Sequence, residues 1–288
     1  MKKKIIALSC ALLLAVSLLA GCNSAGSGTS PVTKAADLEG KRISVQGGTT
    51  GDTYVYRHFT MAGMKELQAQ LAEDGETMSL PPSTFKDATI SRFTKVTDAA
   101  LEVKNGKADA MVVDQIPAQK IVEKNSDLKI LDDILTEEEY SIAVQKGDTE
   151  LLGKINAALK KLKENGTYDL LAAKYIDKEE NVQLPEIPAY TPTGTIVMGT
   201  NAEFEPFEYH ADDGTIIGFD AGLAKYIAAE MGMELKIEDM AFDSLIAALQ
   251  SGKVDFVAAG MTADPERSKN VDFSDSYYNA SQVIIVKK

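Results

Sequence analysis

The sequence leads to an α/β protein of two modest units, each a mostly parallel sheet flanked by helices. Three observations carry that expectation. Strand-like and helix-like segments alternate along most of the chain, which favours parallel sheets covered on both faces. The length of 288 residues suits two units at roughly 100–200 residues each. Finally, one helix–glycine–strand pattern occurs twice: Val103 to Asp114 reads VKNGKADAMVVD and Leu249 to Gly260 reads LQSGKVDFVAAG.

The elements follow in order. Arg42 to Gln46 is a short strand that runs into the flexible turn Gly47-Gly48-Thr49-Thr50-Gly51. Met61 to Ala72 has helical spacing through Met64, Leu67 and Leu71, and the stretch from Asp74 to Thr84, with Pro81 and Pro82, reads as an irregular loop. Asp98 is expected to cap a helix that reaches about Lys104 and closes at Gly106. Ala108 to Val113 is a buried strand followed by a polar turn at Asp114-Gln115. Thr149 to Leu162 is amphipathic through Leu152, Ile155, Leu159 and Leu162. Gly166 breaks it, and Asp169 to Tyr175 form one more helix. Asp177 to Thr193, with three prolines, is an extended linker.

Beyond the linker the same grammar returns. Thr195 to Met198 is a strand, and Asp220 is expected to cap a helix with Leu223, Ile227 and Met231 on one face. Asp243 similarly caps Ser244 to Gln250, Val254 to Ala259 is a strand, and Val283 to Val286 is the last one. In the repeated pattern Asp114 and Gly260 are equivalent, each at the carboxyl end of its strand. Open parallel sheets bind ligands just beyond those ends, so two units facing each other would place both turns in one cleft.

The N-terminus carries targeting features. Lys2, Lys3 and Lys4 precede an apolar run from Ile5 to Leu19, too short to span a bilayer, and Leu19-Ala20-Gly21-Cys22 closes it with small residues. Residues 1–21 are read as a signal peptide. The LAGC ending is similar to a bacterial lipoprotein signal, which implies a lipidated Cys22 on a tether reaching residue 33. With Cys10 removed, no disulfide can form within the remaining chain. The formal net charge of −13 argues against nucleic-acid binding, which needs a basic stripe. His58 and His210 are the only histidines and stand apart, so no imidazole metal site is expected. Without a Gly-rich phosphate loop, a nucleophile elbow or a Cys-x-x-Cys pair, no cofactor is expected either.

Ala259 to Lys269 reads AGMTADPERSK. Gly260 allows close backbone approach, Thr262 offers a hydroxyl, and Arg267 offers a planar fork suited to a carboxylate. Spacing alone favours Arg267 as a surface arginine paired with Glu266 or Asp264.

The runs TIVMGTNAEFEPFEY, GFDAGLAKYIAAEMG and AFDSLIAALQSGKVDFVAAGMTADPERSKNVDFSDSYY resemble the first half of polar amino acid binding proteins of ABC transporters. DLEGKRISVQGGTTGD, VKNGKADAMVVDQIPA, EEEYSIAVQKGD and LKENGTYDLLAAKYI resemble the second half. The resemblance implies a two-lobed periplasmic-binding-protein-like fold with a ligand cleft between the lobes. It implies that Arg267 clamps a ligand carboxylate with Thr262 and the Thr49-Thr50 region, while Asp114 receives the ammonium and Gly260 offers its carbonyl. Phe204 and Phe242 would sandwich the side chain, although ordinary core packing is what a Phe usually does. Asn201 and Gln46 would touch the side chain, and being uncharged they favour a neutral polar ligand, with Glu203 leaving lysine or arginine open. The implied partners are a small polar amino acid, permease subunits and, through the lipid anchor, the outer face of the cell membrane.

This chain departs from the family in two ways. Tyr54 to Lys95 is longer than in typical relatives, and the two halves stand in reverse order, which reads as a circular permutation. Residues 34–140 are expected to form one lobe and 141–288 the other, joined by a single covalent crossing near 140–144. An enzyme on the same fold, with Glu203 and Glu205 as the nearest acid–base candidates, and a rearranged copy that binds nothing are the alternative readings.

Overall fold

A computed structural model describes residues 30–73 and 75–288. The expected signal segment 1–21, Cys22 and the start of the tether lie outside the described residues. Of the tether's end, Val32 is buried and Thr33 donates its N–H and its hydroxyl to Asp37, so the chain is already anchored there.

The first half runs β1 (Arg42–Gln46), α1 (Thr50–Phe59), α2 (Met61–Glu73), β2 (Thr89–Phe93), α3 (Val96–Lys104), β3 (Ala110–Asp114), α4 (Gln115–Lys124), β4 (Leu128–Ile130) and β5 (Thr136–Tyr140). Next come β6 (Ala143–Gln145), α5 (Thr149–Glu164) and α6 (Thr167–Tyr175). After the linker follow β7 (Thr195–Thr200), β8 (Glu203–Phe204), β9 (Glu208–His210), β10 (Ile216–Ile217), α7 (Phe219–Glu230) and β11 (Glu234–Asp239). The chain closes with α8 (Leu245–Gln250), β12 (Phe256–Val257), β13 (Val271–Phe273) and β14 (Tyr278–Lys287).

Two large sheets result. The first has the order β2-β1-β3-β14-β4, with β5 also paired to β14. The second has the order β11-β7-β12-β6-β13. In each, three strands pair in parallel and the remaining strands join antiparallel. Alternate side chains of one strand enter opposite faces: Val283 and Ile285 of β14 pack with Val103 and Leu128, whereas Ile284 and Val286 pack with Leu38 and Val55. All four are buried, each contributing about 1.5–3 kcal/mol.

The last strand corrects the expected division. β14 sits between β3 and β4 of the first sheet and so belongs with residues 30–140. The chain therefore crosses between the sheets twice, from β5 to β6 and from β13 to β14. The crossings lie side by side, with Tyr278 opposite Tyr140 and Val271 opposite Gln145. A single covalent hinge is thus excluded. Local pattern marks 283–286 as a strand, but its partner lies far away in sequence and leaves no local mark.

Three expected caps are displaced. Asp98 and Asp220 stand inside the first turns of α3 and α7, behind Lys95 and Gly218. Asp243 lies in a short 3-10 turn ahead of α8, whose cap is Ser244. An acid inside a first turn still meets the positive end of the helix, which makes the two positions alike in sequence. The turn expected at Asp114-Gln115 is the start of α4, because Pro117 is tolerated within a first turn. The strand expected over 254–259 shortens to β12. Residues 177–193 hold no helix or strand; Pro185 accepts a hydrogen bond from Tyr226, and Tyr190 donates one to the carbonyl of Met233.

Candidate functional site at the seam between the sheets

The carboxyl ends of β1, β3, β7 and β12 meet at one seam. From the side of the first sheet come Gln46, the N-cap Thr49 of α1, Thr50 and Asp114; from the side of the second come Asn201, Phe242 and Gly260, with Phe204 on β8 of a small sheet ordered β10-β9-β8. These eight expected residues line one cavity together with Glu208 and Ala259. It offers only about 10 Å³, roughly one water. Any larger occupant requires the walls to part.

Hydrogen bonds span the seam. Gln46 donates its Nε2 to Asn201 Oδ1 at 2.8 Å, and Thr50 Oγ1 donates to Thr262 Oγ1 at 3.2 Å. Arg267 donates Nη2 to the Gly48 carbonyl at 2.9 Å and Nη1 to the Thr262 carbonyl at 2.8 Å. Arg267 and Thr262 are absent from the cavity lining yet border it through these bonds. The guanidinium also lies 5.4 Å from the Phe242 ring centroid, a favourable cation–π distance, and 3.2 Å from Asp264. The pairing with Asp264 was one of two read from spacing; burial of Arg267 at 8% exposure sets it apart from an ordinary surface ion pair.

Asp114 is buried and accepts a 2.6 Å hydrogen bond from the Tyr140 hydroxyl. Burial and then the charge of Glu138 push its carboxyl up to about 7, against the pull of hydrogen bonds from Tyr140 and Gln282. Glu138 in turn accepts from Thr262 Oγ1 and from Gln282 Nε2, each at 2.7 Å. Burial pulls the Arg267 guanidinium down, while Asp264, Glu138 and Asp114 push it back up; it stays charged because its reference value is so high. A buried guanidinium and a buried carboxyl group at the same seam are chemically complementary to a small zwitterion.

Gly260 is needed for its shape. Its φ is +53°, and a Cβ there would lie 2.6 Å from the Phe204 ring. Phe204 stacks on Phe207 at 5.8 Å, so it is both a cavity wall and part of the core. Glu203 and Glu205, the acid–base candidates, point elsewhere: Glu203 pairs with Lys95 at 2.5 Å and Glu205 with Lys124. Both pairs join segments from the two halves of the chain, Lys95 and Lys124 from the first and Glu203 and Glu205 from the second.

Sequence reasoning missed Glu138, Tyr140, Glu208, Asp220 and Gln282. Glu208 shares the run EFEPFEY with Glu203 and Glu205, and nothing in that run distinguishes the buried acid from the exposed ones. Asp220 is fully buried, where its Oδ2 accepts the Gly260 N–H at 2.8 Å and the Tyr277 hydroxyl at 2.6 Å. Gln282 follows Asn279 and Ser281 and stands just before the apolar run Val283 to Val286, so nothing local marks it either.

Comparison with known proteins adds a family. The profile of the bacterial extracellular solute-binding proteins, family 3, matches residues 70–178 and 196–288. The arginine-binding extracellular protein ArtP of Bacillus subtilis (strain 168) is 53% identical over 93 residues, 32% of this chain and 36% of its own. The ABC transporter arginine-binding protein 1 of Escherichia coli (strain K12) is 44% identical over 93 residues, 32% of this chain and 38% of its own. A solved ancestral arginine-binding protein bound to arginine is 50% identical over 30% of this chain and 38% of that one, with a TM-score of 0.29. This chain therefore spans less than two fifths of the length of each of these relatives.

Proposed function

The chain belongs to the bacterial extracellular solute-binding proteins, family 3, and from that premise we propose that it captures a free amino acid between its two lobes and delivers it to the permease of an ABC transporter. The observation that carries the reading is the buried pair at the seam. Arg267 suits an α-carboxylate and Asp114 suits an α-ammonium, each desolvated enough for the contact to be strong. Because the ligand would touch both sheets, its binding energy would favour the closed arrangement. Titration calorimetry is the direct test: amino acid binding that survives Arg267→Ala unchanged would refute it.

A basic side chain is the better-supported ligand class. Gln46 and Asn201, the expected anchors of a neutral one, are bonded to each other across the seam. Around the cavity the buried acids Asp114, Glu138, Glu208 and Asp220 outnumber the buried Arg267. The relatives named above are named for arginine. In a thermal-shift panel, arginine should stabilise the protein more than glutamine; the opposite ranking would restore the neutral ligand.

Binding without turnover is the proposal, since Glu203 and Glu205 are held in rim ion pairs. The reversed order of the family-like halves supports a circular permutation, and the seating of β14 in the first sheet fits it. In this reading the permuted protein retains both crossings, and the segment 177–193 joins what would be the relatives' ends. Lipidation at Cys22 would hold it at the outer face of the membrane; loss of membrane association in Cys22→Ser is the expected result.

A further inference from the structure

Glu208 is buried with 0% exposure against the cavity, and neither of its side-chain oxygens has a hydrogen-bond partner among the described residues. Its neighbour Asp220 is as deeply buried, and the Oδ1 of Asp220 also lacks a partner. Two ionised carboxylates side by side in such a place are strongly disfavoured, so one of them holds a proton. The geometry says which. Both available donors, the Gly260 N–H and the Tyr277 hydroxyl, converge on Asp220, which makes Asp220 the ionised member and Glu208 the neutral acid.

The surroundings of Glu208 agree. Asp220 on α7, Asp114 at the end of β3, Asp239 at the end of β11 and the Tyr277 phenol between β13 and β14 are the titratable groups acting on it. All four are acidic. Burial first, then the charge of Asp220, hold the Glu208 carboxyl well above the usual range. Asp220 itself is raised to about 6, chiefly by burial.

We propose that Glu208 reads the charge of the ligand's side chain, remaining a neutral acid beside a neutral side chain and releasing its proton when a guanidinium or ammonium enters. This rests on the amino acid reading above. The step balances simply: the Glu208 O–H bond breaks, the proton passes to a buffer base, and the ligand cation takes the proton's place between Glu208 and Asp220. Linkage then makes affinity for a basic amino acid rise with pH, by about tenfold per unit while Glu208 remains protonated in the free protein. A neutral amino acid gains nothing from this source.

Asp114 is a second source of protons, but any α-ammonium would ionise it, so arginine and glutamine draw on it alike. The difference in proton release between the two ligands therefore reports on Glu208. The test is calorimetric titration of the full chain near neutral pH with arginine and with glutamine, in Tris and in phosphate, whose ionisation enthalpies differ. Arginine should release about one proton more than glutamine does. Glu208→Gln, which keeps the shape but has no proton to release, should abolish that excess. It should also weaken arginine by about tenfold or more while leaving glutamine within about threefold. Arginine binding to the wild-type protein with no excess release would overturn the proposal and leave amino acid capture standing. Glutamine binding without arginine overturns it as well, and binding of neither withdraws the capture reading itself.

Discussion

The two ends of the cavity are built on opposite terms. At the Arg267 end polar groups meet partners, and several of those partners come from the other sheet: Arg267 reaches Gly48, Thr50 reaches Thr262, and Gln46 reaches Asn201. At the Glu208 end three carboxyl oxygens of two buried acids have no hydrogen-bond partner among the described residues. The first end can close on itself, so a ligand there must replace bonds already made. The second cannot satisfy itself, so a ligand that brings donors gains more there. Closure and selectivity are in this way assigned to different residues.

The largest expected break is at the satisfied end. Arg267→Ala and Asp114→Ala should each cost about 2–5 kcal/mol of amino acid affinity by leaving a ligand charge unpaired. Calorimetry measures it, and affinities within about threefold of wild type would remove these residues from the site. Gly260→Ala tests the wall between the two ends. The added Cβ meets Phe204 in a backbone conformation that L residues rarely adopt, so thermal unfolding should report a loss of about 1–3 kcal/mol.

A pH titration sharpens the contrast. Asp114 rises from an ordinary 3.8 to about 7, so the folded protein binds its proton more tightly than the unfolded chain does. Its contribution to stability is fully present below about pH 3.8 and is lost as pH rises through about 7. The ligand-free protein should melt lower at neutral than at mildly acidic pH, and Asp114→Asn should flatten that slope. An unchanged slope would place the effect in Glu208 and Asp220, which are raised in the same direction. The smallest effect belongs to the rim. Glu203→Gln and Glu205→Gln remove exposed ion pairs with Lys95 and Lys124, and the change in affinity should be slight and vanish at high salt.

The alternation of strands and helices, and the placing of Asp114 and Gly260 at the site, could be read from the sequence because they follow local rules, whereas Gln46, Thr49, Thr50, Asn201, Phe204 and Phe242 came only from the resemblance to a family. Apolar spacing marks elements, and the carboxyl ends of parallel strands mark where ligands go. What escaped was set by distance along the chain. Nothing near Val283 says which sheet receives it. Asp220 looks like a helix cap because caps and first-turn acids share the same residue types. Glu208 looked like its exposed neighbours because burial is a property of the packed fold. The two crossings follow from the same long-range pairing, and a local reading supplied only one of them.

The seating of β14 also bears on how the protein is made. Ser281 hydrogen-bonds Gln115 across 166 positions of sequence, and the slot between β3 and β4 is filled by the last strand of the chain. A ribosome adding roughly 5–20 residues per second would leave that slot open for on the order of ten seconds after β3 has emerged. Through that interval β3 presents an unpaired, apolar edge, the kind of surface that recruits stray strands. The first sheet cannot finish early. Completion of the first sheet is deferred until β14, Tyr278–Lys287, has been made.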